Sequence, residues 1–103
     1  MTTRVRVGRQ VEDFLRALAP EPRRALWRGL KGLAKGTGDL RQLDGRLAPY
    51  WRLRVGRMRV VFAIKAAVGE RQVLCFSAGF RATVYELVAQ LLASGMIEEV
   101  RAL

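Results

Sequence analysis

Arginines stand at positions 52, 54, 57 and 59, with Trp51, Leu53, Val55 and Met58 set between them. A guanidinium is permanently charged, and its planar fork of donors matches two phosphate oxygens at once. Residues two apart on an extended chain share one face. Arg52, Arg54 and Arg59, with Arg57 at the turn, therefore suit a row of phosphates such as a nucleic-acid backbone. A second pair, Arg81 and Tyr85, falls where a helical pattern begins. The first turn of a helix favours an anion, and a tyrosine there can stack on a base or donate its hydroxyl to a phosphate. Two plainer readings stand beside these. The arginines can form a solvated sheet face, their stems covering Val61 and Ala63, and Tyr85 can sit at the edge of a core.

Other chemistries are excluded by what is absent. There is no histidine and one cysteine, so His-based triads and Cys/His zinc sites are out, as is an internal disulfide. No metal and no cofactor is expected. Cys75 lies inside an apolar stretch and reads as a buried, unreactive thiol.

The chain of 103 residues carries 19 Lys+Arg against 9 Asp+Glu, a net charge of +10. Sixteen of the cations are arginine, and the stretch 41–81 holds nine cations (Arg41, Arg46, Arg52, Arg54, Arg57, Arg59, Lys65, Arg71, Arg81) against two acids, Asp44 and Glu70. That balance favours a polyanionic partner. Half the residues are apolar and the mean hydropathy is +0.04, which argues against wholesale disorder. No apolar run reaches the roughly 20 residues of a spanning helix, and 1–10 lacks the apolar segment of a signal peptide. The expectation is one cytoplasmic domain over 1–103, with no membrane partner and a C-terminal tail over 96–103.

The elements that must position these residues follow from periodicity. Residues 2–8 alternate weakly and read as a short edge strand. Val11, Phe14, Leu15 and Leu18 recur at helical spacing up to Ala19-Pro20. Pro22 suits the first position of a second helix, whose stripe is Leu26, Trp27, Leu30, Leu33 and Ala34, ending at Gly36-Thr37-Gly38. Residues 39–49 read as a loop. Period-two alternation then runs through Trp51–Val55 and Met58–Ile64, joined by Gly56-Arg57, a two-residue turn with glycine first. After Gly69-Glu70 a third strand covers 71–78. Thr83 and Glu86 have the spacing of a capping box for a last helix, with Val84, Leu87, Val88, Leu91 and Leu92 buried and Ser94-Gly95 at its end. The order β-α-α-β-β-β-α predicts an α+β fold: an N-terminal strand and a helical hairpin on a curved antiparallel sheet, with helices on one face. The turn sets the hairpin register. Arg54 faces Arg59 and Arg52 faces Val61, so the three arginines share one face. Two directly opposed arginines repel, a cost of some tenths of a kcal/mol.

These residues resemble a known family. Leu43-Asp44-Gly45 followed by the run from Tyr50 to Phe62 is similar to the hairpin of the RelE/ParE superfamily of type II toxin–antitoxin toxins. Ser77 to Tyr85 is similar to that family's closing motif. The resemblance spans Arg4 to about Ser94. It implies a small RNase-like α+β fold and a cognate antitoxin. It also implies a ribosome-dependent endoribonuclease that cuts mRNA in the ribosomal A site by attack of a 2′-hydroxyl on the adjacent phosphate. Carried over by position, Arg59 stabilises the phosphate, Arg81 stabilises charge or acts as the acid, and Tyr85 stacks on or orients the substrate. Arg52 and Arg54 fall where RelE uses lysines, as phosphate ligands and base. Phe80, Met58 and Trp51 depart from the family pattern. Free arginine titrates above about 12 and makes a poor base. Glu86 is the carboxylate nearest to Arg81 and Tyr85 in sequence, and its capping role competes. The missing base leaves two alternatives, a ParE-like inhibitor that binds DNA gyrase and an inactive relative that binds only an antitoxin or nucleic acid.

Overall fold

The computed structural model describes residues 2–81 and 83–93. Its elements are β1 Thr2–Val7, α1 Arg9–Ala17, α2 Pro20–Gly32, β2 Asp39–Gln42, β3 Trp51–Val55, β4 Met58–Ala67, β5 Glu70–Phe80 and α3 Thr83–Ala93. The expected tail over 96–103, the stop at Ser94-Gly95 and the side chains of Leu91 and Leu92 lie outside the described residues.

The helical hairpin forms where the spacing predicts it. Val11 and Leu15 of α1 are buried, and Glu12 in its first turn and Arg16 in its last complement the helix dipole. Its last carbonyls lack the usual i+4 donors, although the Leu18 N–H bonds the Leu15 oxygen at 3.2 Å. Arg23 supplies others, donating to the oxygens of Leu15, Arg16 and Leu18 at 3.2, 3.3 and 2.7 Å. Pro20, rather than Pro22, takes the first position of α2, where a missing N–H costs nothing. Leu26, Leu30 and Leu33 turn inward, whereas Trp27 is 47% exposed with the Lys31 ammonium 5.5 Å from its ring centre. One helical step of 100° separates Trp27 from Leu26 and carries it off the buried stripe.

The sheet has the order β1-β5-β4-β3-β2. Four strands are antiparallel, and β1 joins β5 in parallel at the edge, so the sheet is mixed. The long chain between β1 and β5 removes the hairpin constraint that imposes antiparallel pairing. The stretch expected as a loop over 39–49 contributes β2. With one apolar residue, Leu40, it carries almost no strand pattern, and pairing of Leu40 with Leu53 brings it into the sheet. The hairpin register is the one the turn dictates: Val55 faces Met58, Arg54 faces Arg59, Leu53 faces Val60 and Arg52 faces Val61. Gly56 has a φ of 59°, as the first residue of such a turn requires.

Helices cover both faces of the sheet, not one. On the first face α1 and α2 pack over Leu53, Met58, Val60, Phe62, Val73 and Cys75. On the other, α3 packs Val84 and Val88 against Tyr50, Val61 and Phe76. The consecutive apolar runs Val60-Val61-Phe62 and Val73–Phe76 carry this information, because a strand apolar at every position is buried on both sides. An irregularity between Val61 and Phe62 pairs them with Ser77 and Cys75, leaving Phe76 as the extra residue. Phe76 meets Tyr50 edge to face with ring centres 5.0 Å apart. Gly79 allows the approach of α3, since a Cβ there would lie 3.3 Å from Val84 Cβ.

Candidate anion-binding site

The face shared by Arg52, Arg54 and Arg59 continues across the strands. Asp39 on β2 pairs with Arg54, Arg54 with Arg59, and Arg59 with Gly79; in the next row Arg41 pairs with Arg52, Arg52 with Val61 and Val61 with Ser77. Directly paired residues share a face. The far part of this face, at Val61 and Ser77, is fully buried within the α3 side of the core. The near part presents the arginines.

The repulsion expected between Arg54 and Arg59 is relieved from both sides. Arg52 Nη1 donates to the Asp39 carbonyl at 3.1 Å and to its Oδ1 at 3.2 Å. Arg54 Nε lies 3.8 Å from Asp39 Oδ2. One carboxylate thus spans two guanidiniums. Arg59 turns the other way, its Nη1 donating to the carbonyls of Gly56 and Met58 at 2.8 and 2.9 Å. The hairpin turn holds that cation half-buried at the end of the sheet.

Arg57 and Arg81 meet through backbone. The Arg81 N–H donates to the Arg57 carbonyl at 2.9 Å, tying the end of β5 to the hairpin turn. Arg81 is exposed and has a φ of 50°. The left-handed region costs a residue with a Cβ on the order of 1 kcal/mol or more, and such conformations gather at functional sites. Tyr85, in the first turn of α3, is half-buried against the Tyr50, Val61 and Phe76 cluster, which puts it on the arginine face. The structure therefore joins Arg52 and Arg54 through Asp39, sets Arg59 opposite Arg54, and ties Arg81 to Arg57 through one backbone hydrogen bond.

Among solved structures, the fold is similar to a chain of the archaeal RelE–RelB complex from Pyrococcus horikoshii OT3. The TM-score is 0.59 at 21% identity, over 79% of this chain and 97% of that one. The chain has a RelE-like fold. Neither a family model nor a curated protein matches its sequence.

Two members of the face within this RelE-like fold escape a reading of the sequence. Asp39 lies just before the stretch whose charges mark the basic region, in a segment without strand pattern. Arg41 is counted in that region, but only β2 pairing puts it beside Arg52. Cys75 faces the first core, where burial pushes its thiol from 9.0 up to about 12, so it is no nucleophile. Among the described residues no helix is long and apolar enough to cross a membrane.

Proposed function

We propose that this chain is the toxin of a toxin–antitoxin module and acts as a ribosome-dependent endoribonuclease on mRNA in the A site. The observation that carries the reading is the arginine face: Arg54 opposite Arg59, with Arg52 and Arg41 beside them, on a RelE-like fold. In the reaction a 2′-hydroxyl attacks the adjacent phosphorus. The P–O5′ bond breaks, and a 2′,3′-cyclic phosphate and a free 5′-hydroxyl remain. Arg59 stabilises the phosphorane charge, and its bonds to the turn carbonyls orient it for that role. Arg52 and Arg54 hold neighbouring phosphates. Arg81 supports the charge on the leaving oxygen, and Tyr85 stacks on the substrate. The antitoxin neutralises the toxin, in keeping with the RelE–RelB complex of the structural relative.

A second reading, inhibition of DNA gyrase by binding, is favoured by one observation. The carboxylate among these arginines, Asp39, is held in ion pairs with Arg52 and Arg54, and the sequence holds no histidine to serve as base. Induced expression with mapping of new RNA 5′ ends separates the readings. Wild type should produce cuts inside translated codons, and Arg59→Ala/Arg81→Ala should lower cutting at least about 100-fold. Growth arrest without new ends, together with inhibited supercoiling by the purified protein, would transfer the assignment to gyrase.

A further inference from the structure

Asp39 is an acid set among the cations of this face, beside Arg52 and Arg54. Arg52 and Arg54 are two residues apart on one side of β3, about 7 Å along the strand. Between two like charges at that separation sits a seat for an anion, and the Asp39 carboxylate fills it. Its Oδ1 accepts from Arg52 at 3.2 Å, and its Oδ2 lies 3.8 Å from Arg54 Nε. A phosphodiester offers the same two-oxygen edge to guanidinium donors. The Asp39 side chain is 53% exposed, so it can leave by rotation into solvent, whereas Arg52, 14% exposed, is fixed. We propose that Asp39 is an internal counter-ion that occupies the phosphate seat between Arg52 and Arg54 and is displaced by an RNA phosphate. This rests on the reading of the arginine face as an RNA-binding surface.

A consequence is selectivity for chains of phosphates over single anions. A lone phosphate must expel Asp39 for one seat's contacts. An RNA strand that also reaches Arg59 and Arg41 gains several contacts for the same exchange.

The test is fluorescence anisotropy with a short, 5′-fluorescein-labelled single-stranded RNA across a sodium chloride series. Wild type, Asp39→Asn and Arg54→Ala are compared, each checked by thermal melting. Asparagine keeps an oxygen that can accept from Arg52 and removes the charge. Asp39→Asn should bind about two- to fivefold tighter, the scale of a half-exposed ion pair. Its plot of log K against log salt should keep the wild-type slope, because the seat takes a phosphate in both proteins. Weaker or unchanged binding, or a slope steeper by the roughly 0.7 of one more phosphate on a single strand, would overturn the proposal and make Asp39 a residue that orients Arg52, does nothing at the seat or keeps phosphate out of it. Arg54→Ala binding as tightly as wild type would instead remove the RNA reading of this face, and the proposal with it. Should Asp39→Asn fail to melt cooperatively, NMR on wild type decides. The Asp39 carboxyl carbon and the Arg54 Nε–Hε resonances should shift together as RNA is added. Movement of Arg54 alone would overturn the displacement.

Discussion

Cys75 shows how placement alone decides the chemistry of a side chain. It sits on β5 facing α1 and α2, 1% exposed, and burial in apolar surroundings raises its thiol from 9.0 to about 12. The folded state holds this proton more tightly than the unfolded state does. Its contribution to stability is therefore fully present below pH 9.0 and is lost as the pH rises through about 12. Urea unfolding at stepped pH should show a decline across that window that is smaller in Cys75→Ala. A wild-type profile identical to that of the variant would show the thiol to be hydrated. Below the window the folded protein should resist iodoacetamide. The sequence suggests this outcome, since a thiol within Val73–Phe76 has apolar neighbours. It does not suggest Ser77, whose hydroxyl is buried without a hydrogen-bond partner among the described residues. No local pattern reveals that α3 covers that point of β5.

Single side chains also complete elements. Beyond Val7 and Cys75 the parallel pairing of β1 with β5 ends, which leaves the next edge of β5 without a strand. The Gln10 side chain fills that place: its Nε2 donates to the Ala78 carbonyl at 2.9 Å, and its Oε1 accepts from the Ala78 N–H at 2.7 Å. The amide thus acts as one further residue of β1 and locks α1 onto the strand that leads to Arg81. Gln10→Ala strands two partly buried backbone groups and should cost about 1–3 kcal/mol in denaturant unfolding. Gln10→Glu keeps the acceptor, loses the donor and should fall between. An unchanged midpoint in both would mean that water replaces the amide at no cost. Helix existence is legible in the sequence because apolar spacing is a local property. The Gln10 clamp joins residues 68 apart in the chain, and no window along the sequence contains both partners.

For the molecule as a whole, charge and layering pull in opposite directions. Two small cores, one on each side of a single sheet, must hold together a chain with a net charge of +10. Glu70 pairs with Arg4, and Asp39 with Arg52 and Arg54. Self-repulsion on this scale is screened by salt. The melting temperature should rise by about 5 °C from low to high sodium chloride, the shift that roughly 1 kcal/mol produces in a domain of this size. A flat or falling dependence would mean that surface ion pairs outweigh the net repulsion.

What the sequence determined by itself is what local rules control. Residues 52–62 form a hairpin whose two-residue turn admits one register, and that register aligns Arg52, Arg54 and Arg59 whatever surrounds them. The two-helix pattern, the excess of cations and the absence of histidine are likewise complete in the chain. Tertiary structure decided the rest. Parallel pairing of β1, recruitment of β2 and the docking of α3 on the second face each join segments distant in sequence, so their energies appear only when the chain has closed. The outcome at the site turns on one such event. Pairing of Asp39 with Arg54 converts a bare row of cations into a seat already holding an anion, because a carboxylate between two guanidiniums lowers a repulsion that the strand alone cannot relieve.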